Sequence, residues 1–342
     1  MEIAGRKIGQ GHDPLIIAEI GINHNGDLGV AKQMVDSAHQ AGVEVIKHQT
    51  HIVEDEMSPE AKKVVPVHTN KSIYEIMESC SLDEKDEFEL KKYVESKGMI
   101  FISTPFSRKA VDRLVKFDVP ALKIGSGECN NYPLIEYLCQ FNKPVILSTG
   151  MNNIESVKKA VSIFRKNKIE FALLHTTNLY PTPHKLVRLG GMQELMKEFD
   201  DIPIGLSDHT IDNLSSYAAI TLGACIIEKH FTDKMNREGP DISCSMDENT
   251  CKELILNSKL IKSMLGGKKE PAVEEQATID FAFATVVAIE NIKPAEEFSH
   301  KNIWVKRPGT GEIKAEFFEN VLGKKSRRII KKGEHLYYKD FN

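Results

Sequence analysis

The chain has 342 residues, with 45 lysines and arginines against 49 aspartates and glutamates, a net charge of −4, and 41% apolar residues. A slightly acidic balance gives no electrostatic reason to bind nucleic acid or an anionic membrane, so the expected partner is a small molecule. The length exceeds one ordinary domain and allows a large core plus a second, smaller unit.

The opening MEIAGRKIGQGHDPL has no sustained apolar stretch, and no apolar run approaches the ~20 residues of a membrane helix. The six cysteines, Cys80, Cys129, Cys139, Cys225, Cys244 and Cys251, form no CxxC pair, and several fall inside strand-like or helix-like runs. Reduced, buried thiols of that kind point to the cytoplasm.

From Leu15 onward, eight apolar runs recur: LIIAEIG, VEVIKH, MIFIST, ALKIGS, PVILST, EFALLHTT, IPIGLSDH and CIIEKHFT. Amphipathic segments at 30–41, 83–97, 108–117, 154–166 and 213–222 separate them and are expected to cover the strands as helices. Eight βα units in about 250 residues predict a TIM barrel, because strands buried on both faces are almost continuously apolar. An open doubly wound sheet is the competing α/β arrangement. The polar insertion at 50–82 is expected to be a βα loop over the barrel mouth.

A last barrel helix is expected at 248–265, and after it GGKKEPAVEEQAT has no apolar periodicity, as a linker would. Short strand-like pieces with glycine turns follow: FATVVAIEN, NIWVKRPG and RRIIKKGEHLYY. The predicted domains are a barrel at 1–265, a linker at 266–280 and a β-rich domain at 281–342. About 60 residues is marginal for independent folding, so this tail is expected to lean on a barrel, its own or a partner's.

Burying an unpaired charge is costly, yet nearly every predicted strand carries a polar group near its end. These are Glu19, Lys47, Thr104, Lys123 with Ser126, Ser148, Asn178, Ser207 with His209, and His230. Ser207 or Asp208 alone would pass for a helix cap. The whole set predicts a polar pocket at the carboxyl ends of the strands, where α/β folds place their ligands. His209 and His230 suit a divalent transition metal, although two core histidines bonded to backbone are the plainer reading. Lys47, Lys123, Ser126, Ser148 and Ser207 could hold a phosphate. Lys123, desolvated, could instead form a Schiff base.

The runs EIGINHNG, VIKHQTHIVEDEM, FISTPFS, KIGSGECNNYPLI, ILSTGMN, TNLYPTP, RLGGM, GLSDHT, EKHFT and WVKRPG resemble the sialic acid synthase family, in order and over almost the whole chain. That resemblance implies a TIM barrel followed by an antifreeze-like (SAF) domain. It also implies condensation of phosphoenolpyruvate with the aldehyde of N-acetylmannosamine, releasing phosphate with the help of Mn²⁺, or of Mg²⁺ or Co²⁺. By resemblance, His209 and His230 are metal ligands. Lys47, Lys123, Ser126, Ser148, Asn178 and Ser207 bind phosphoenolpyruvate, and Glu19 moves a proton. Gln49, Tyr180 and Asp241 contact the amino sugar. Arg307 of the small domain completes the site of the partner subunit in a domain-swapped homodimer.

Synthases of legionaminic and pseudaminic acid, and those using a 6-phosphorylated sugar, share this plan, so the sugar stays open. The runs KHQTHIVEDEM and TNLYPTP look closest to bacterial enzymes for unphosphorylated N-acetylmannosamine. Two rivals stand beside this reading: a metal-free Schiff-base lyase using Lys123 on pyruvate, and a non-catalytic sugar- or ice-binding protein suggested by the tail.

Overall fold

The computed structural model describes residues 1–65 and 70–341. It comprises two compact units, Met1–Gly266 and Gly267–Asn342. In the first, eight parallel strands close into a barrel: Leu15–Glu19, Val45–Thr50, Ile100–Pro105, Leu122–Ile124, Val145–Ser148, Phe171–Thr176, Ile204–Asp208 and Ile226–His230. They are the eight apolar runs of the sequence, and the last pairs with the first. The TIM-barrel expectation holds, and the open sheet does not occur.

Alternation along each strand sorts side chains to two faces. Ile16, Ala18, Ile46, Phe101, Leu122, Val145, Leu173 and Ile227 share one apolar cluster with helix residues such as Met34, Leu90, Leu114, Leu138 and Phe164. Leu15, Ile17, Val45, Ile102, Ala121, Ile146, Leu174 and Ile226 form a separate cluster inside the barrel. Two residues further along those same faces stand Glu19, Lys47, Thr104, Lys123, Ser148, Thr176 and Glu228, with Ser207 beside Glu228 in the pairing. The barrel interior therefore changes from apolar to polar in one step toward the carboxyl ends of the strands.

The helices start where the loops supply a side-chain oxygen for their first free N–H groups. Asp27, Ser72, Asp83, Ser107, Asn131, Asn153 and Asp247 each accept a bond from a backbone N–H in the first turn. The helix Leu214–Thr221 begins after Asn213 with no side-chain cap bond. Ser207 and Asp208 cap no helix; Ser207 donates to Glu228, and Asp208 meets Lys229, the Thr210 N–H and the Ser216 hydroxyl.

Before the second unit, three features differ from the sequence reading. An antiparallel pair, Glu2–Ile3 with Arg6–Lys7, precedes the barrel, and Ile3 and Ile8 join the inner apolar cluster. It closes the end opposite the polar layer, and two-residue strands are too short to show a period. The insertion at 50–82 is mostly helical, with Val53–Glu56, Pro59–Lys63 and Ile73–Cys80, and Val53, Ala61 and Tyr74 form a small core of its own; its residues 66–69 lie outside the described residues. The short helix Gln276–Ala282 crosses the expected end of the linker at 280.

The second unit pairs Thr285–Ala288 with Ile303–Lys306 around a core that includes Val286, Phe298, Ile313, Val321, Ile330 and Phe341. The segment RRIIKKGEHLYY joins it through single bridges, Ile292 to Ile330 and Val287 to His335, in place of a regular strand.

Candidate active site

A cavity of ≈ 390 Å³ opens at the carboxyl ends of the barrel strands. Its wall includes Lys47, Gln49, Lys123, Ser126, Ser148, Asn178, Tyr180, Ser207, His209, His230 and Asp241. Two predicted residues are not on that wall. Glu19 is 1% exposed and sits behind Lys47, in direct contact with its ammonium, while its Oε1 accepts the Gly21 N–H at 2.7 Å. Arg307 belongs to the second unit, where it is exposed, with its guanidinium 5.9 Å from the centre of the Phe281 ring.

The cavity floor is a fully buried charge layer. Glu228 Oε1 lies 3.7 Å from Lys47 Nζ and 3.6 Å from Lys123 Nζ, and accepts the Ser207 hydroxyl at 3.1 Å. Lys123 also donates to Ser148 Oγ at 2.7 Å, and Lys47 to Thr104 Oγ1 at 3.3 Å. Burial would push the Glu228 carboxyl up, but Lys123, Lys47 and Ser207 outweigh it and hold it below the ordinary range. Burial lowers both lysines, Lys47 to about 8, with Glu228 opposing the change in each. Two ammonium groups facing one cavity, beside several hydroxyls, form an anion seat. The sequence reading missed Glu228, although it stands two residues before His230 on the same face of the strand.

A second polar cluster surrounds Ser126. Its Oγ accepts the Gly150 N–H at 3.0 Å, and the buried Oδ1 of Asn178 has no hydrogen-bond partner. A Cβ at position 150 would run into Asn178 Oδ1 and come within 2.8 Å of Ser126 Oγ, so only glycine lets these three groups meet.

The two imidazoles stand together at the next level, with ring centres 5.4 Å apart, and Tyr180 stacks on His209 at 4.2 Å. His209 Nδ1 is 2.9 Å from the Thr177 carbonyl. A carbonyl only accepts, so Nδ1 carries the hydrogen and Nε2 keeps a free lone pair. His230 Nδ1 is buried with no hydrogen-bond partner, 3.6 Å from Asp241 Oδ2. Burial lowers the basicity of both rings, and that of His230 falls further because His209 is close. A neutral imidazole pair with an uncommitted nitrogen on each ring fits a divalent ion. Among the described residues no three His, Cys, Asp or Glu groups converge on one point, so the chain offers two nitrogens with Asp241 beside them.

Asp241 is held through the loop that follows the neighbouring first strand. Asn23 Nδ2 donates to Ser245 Oγ at 2.9 Å and to the Phe231 carbonyl at 3.0 Å, and Ser245 in turn donates to the Asp241 carbonyl at 2.8 Å. Burial raises the Asp241 carboxyl to about 6, against the pull of Lys47. The rest of the wall includes Ile22, His51, Met77, Phe106 and Glu128. Burial, then the charge of Glu56, pushes Glu128 up to about 7, which suits proton transfer. Gln49 is fixed by its donation to the Gly21 carbonyl at 3.0 Å and by His51 at 3.1 Å.

Residues 34–270 match the NeuB family and residues 283–342 the SAF domain. An uncharacterized protein of Methanocaldococcus jannaschii is 40% identical over 99% of this chain and 98% of its own. The N,N′-diacetyllegionaminic acid synthase of Campylobacter jejuni is 37% identical over 94% of this chain and 98% of its own. Among solved structures, an N-acetylneuraminic acid synthetase from Leptospira borgpetersenii is 32% identical, with a TM-score of 0.74 over 82% of this chain and 94% of that one.

Proposed function

The chain belongs to the NeuB family of sialic-acid-type synthases, and from that premise we propose that it joins phosphoenolpyruvate to N-acetylmannosamine, with water, to give N-acetylneuraminate and phosphate. The observation that carries this reading is the anion seat of Lys47 and Lys123 directly below a neutral imidazole pair in one cavity. An anionic, phosphorylated substrate and a metal-bound carbonyl substrate would then meet there.

Lys47, Lys123, Ser126, Ser148, Asn178 and Ser207 would seat phosphoenolpyruvate, drawing Glu228 away from the lysines as the substrate's negative charge replaces it. His209 and His230 would hold a divalent ion, Mn²⁺ in the first instance, which when bound polarises the sugar's aldehyde oxygen. Carbon 3 of phosphoenolpyruvate attacks the aldehyde carbon, and water adds at carbon 2. Phosphate then leaves from carbon 2 with its bridging oxygen. Protons move at the new hydroxyl and at the attacking water. Glu19, released from Lys47, and Glu128, with its raised affinity for a proton, are the carboxyls for those transfers. Gln49, Tyr180 and Asp241 would orient the sugar, and Arg307 would reach a partner's cavity in a cytoplasmic, domain-swapped homodimer.

Burial leaves Lys123 easier to deprotonate than a free lysine, as a Schiff base would need, with Glu228 opposing the change; the imidazole pair in the same cavity is what favours the metal route over an imine. The apolar side chains of Ile22, Met77 and Phe106 in the wall favour a second sugar, a deoxygenated diacetamido hexose of the kind that leads to legionaminic acid. Phosphate release decides between the sugars. Phosphoenolpyruvate and Mn²⁺ are supplied with N-acetylmannosamine, its 6-phosphate, or the diacetamido trideoxy sugar, and the largest kcat/KM identifies the substrate. Turnover of pyruvate without metal, trapped by borohydride, would overturn the synthase reading altogether.

A further inference from the structure

Asp208 and Lys229 each stand one residue before a cavity histidine, and they are direct partners in the pairing of the seventh and eighth strands. Their side chains lie on the outer face of the barrel, 2% and 1% exposed, with Lys229 Nζ 3.3 Å from Asp208 Oδ2. Both also grip Thr210, the residue after His209. Asp208 Oδ1 accepts the Thr210 N–H at 2.9 Å, and Lys229 Nζ donates to the Thr210 carbonyl at 2.6 Å. The second Asp208 oxygen takes the Ser216 hydroxyl at 2.7 Å, which ties the group to the covering helix.

Resting on the metal reading given above, we propose that Asp208 and Lys229 are positioning residues that set the spacing and aim of His209 and His230 before the ion arrives. Packing does not call for charge here, since the residue opposite Lys229 on the first strand is the buried Ala18, and the fourth and fifth strands carry Ile124 and Leu147 on the same outer face. A buried ion pair is seldom more stabilising than apolar residues of similar volume, so its benefit lies in geometry. The geometry it fixes is the backbone on both sides of His209 and the residue leading into His230. The His209 carbonyl is separately pinned by the Thr182 N–H at 2.9 Å, which leaves the ring little freedom beyond its own torsions.

The test measures Mn²⁺ affinity without turnover, by the paramagnetic resonance of the free ion, in the full-length protein and in Lys229→Met, Lys229→Arg, Asp208→Asn and the apolar pair Asp208→Leu/Lys229→Leu. Thermal unfolding and calorimetric binding of phosphoenolpyruvate are followed in parallel. The apolar pair avoids a stranded charge and keeps the test open if Lys229→Met does not fold. Expected is a loss of Mn²⁺ affinity of about 10- to 100-fold in the apolar pair, with phosphoenolpyruvate affinity held within about twofold and partial recovery in Lys229→Arg. A folded apolar pair that binds Mn²⁺ like the parent overturns the proposal and leaves the metal reading standing. A parent protein that binds no Mn²⁺ overturns both.

Discussion

His230 lies directly opposite Glu19 in the strand pairing that closes the barrel, and the Phe231 N–H donates to the Glu19 carbonyl at 2.7 Å. Closure alone thus brings a first-strand carboxyl beside a last-strand imidazole. The two side chains have different surroundings: Glu19 is held by Lys47 and the Gly21 N–H, His230 faces Asp241 and His209. Their variants should therefore fail differently. Glu19→Gln keeps Mn²⁺ affinity and loses about 100-fold or more in kcat, the usual scale for a proton-transfer group. His230→Ala or His209→Ala loses Mn²⁺ binding, as does the parent after chelation, and added Mn²⁺ restores only the parent. Equal loss of metal affinity in Glu19→Gln would remove Glu19 from the proton-transfer role.

Lys47 sets a pH limit on the anion seat. Burial lowers its ammonium to about 8, and the opposing charge of Glu228 keeps it from falling further. Phosphoenolpyruvate, an anion, binds the protonated form, which dominates below that value and is lost as pH rises through it. Affinity measured by calorimetry should be flat below about pH 8 and fall by up to about tenfold per pH unit above it. In Glu228→Gln the largest charge that raises Lys47 is gone, so the falling limb moves to lower pH. A limb that stays in place would show that another group controls it.

How much of this was legible beforehand depended on periodicity. The eight strands stood out because both faces are apolar, and the polar layer stood out because Glu19, Lys47, Lys123 and His230 interrupt that pattern. Glu228 could have been found by the same rule, being inward-facing with His230, but it was hidden in EKH beside an outward-facing lysine. Asn23 and Gly150 gave no such signal. Their roles come from contacts between the loops of neighbouring strands, to Ser245 and to Asn178, which no local pattern encodes. Glu19 was legible as a site residue, but its place behind Lys47 was not, because that depends on which neighbour fills the layer.

The N-terminal pair of short strands makes a stability prediction that leaves the chemistry alone. Ile3 is 1% exposed and packs in the inner cluster with Leu15, Ile17 and Ile226, at the end of the barrel away from the polar layer. Ile3→Ala removes buried methyl groups and leaves a cavity, at a cost of about 2–4 kcal/mol. Denaturant unfolding of the first unit should show that loss, with kcat and the KM for phosphoenolpyruvate unchanged at moderate temperature. A variant of parental stability would mean that the opening strands are not fixed to the barrel in solution.

The proposed domain swap makes Arg307 and Glu19 complementary lesions. Glu19→Ala and Arg307→Ala proteins are each expected to be inactive, and co-expression lets mixed dimers form. If the second unit serves the partner's barrel, one of the two sites in a mixed dimer combines an intact Glu19 from one chain with an intact Arg307 from the other. Activity then returns toward half of the parental value per mixed dimer. If the second unit serves its own barrel, each site carries one lesion and nothing returns. The Arg307 side chain is suited to such delivery because it is exposed at the end of the strand Ile303–Lys306 and the ring it approaches, Phe281, is itself exposed. A planar guanidinium would meet a substrate carboxylate or phosphate through two parallel bonds, which lysine does not reproduce, so Arg307→Lys should complement poorly as well. Mixed dimers confirmed by mass, with no recovered phosphate release, would assign the second unit to its own barrel.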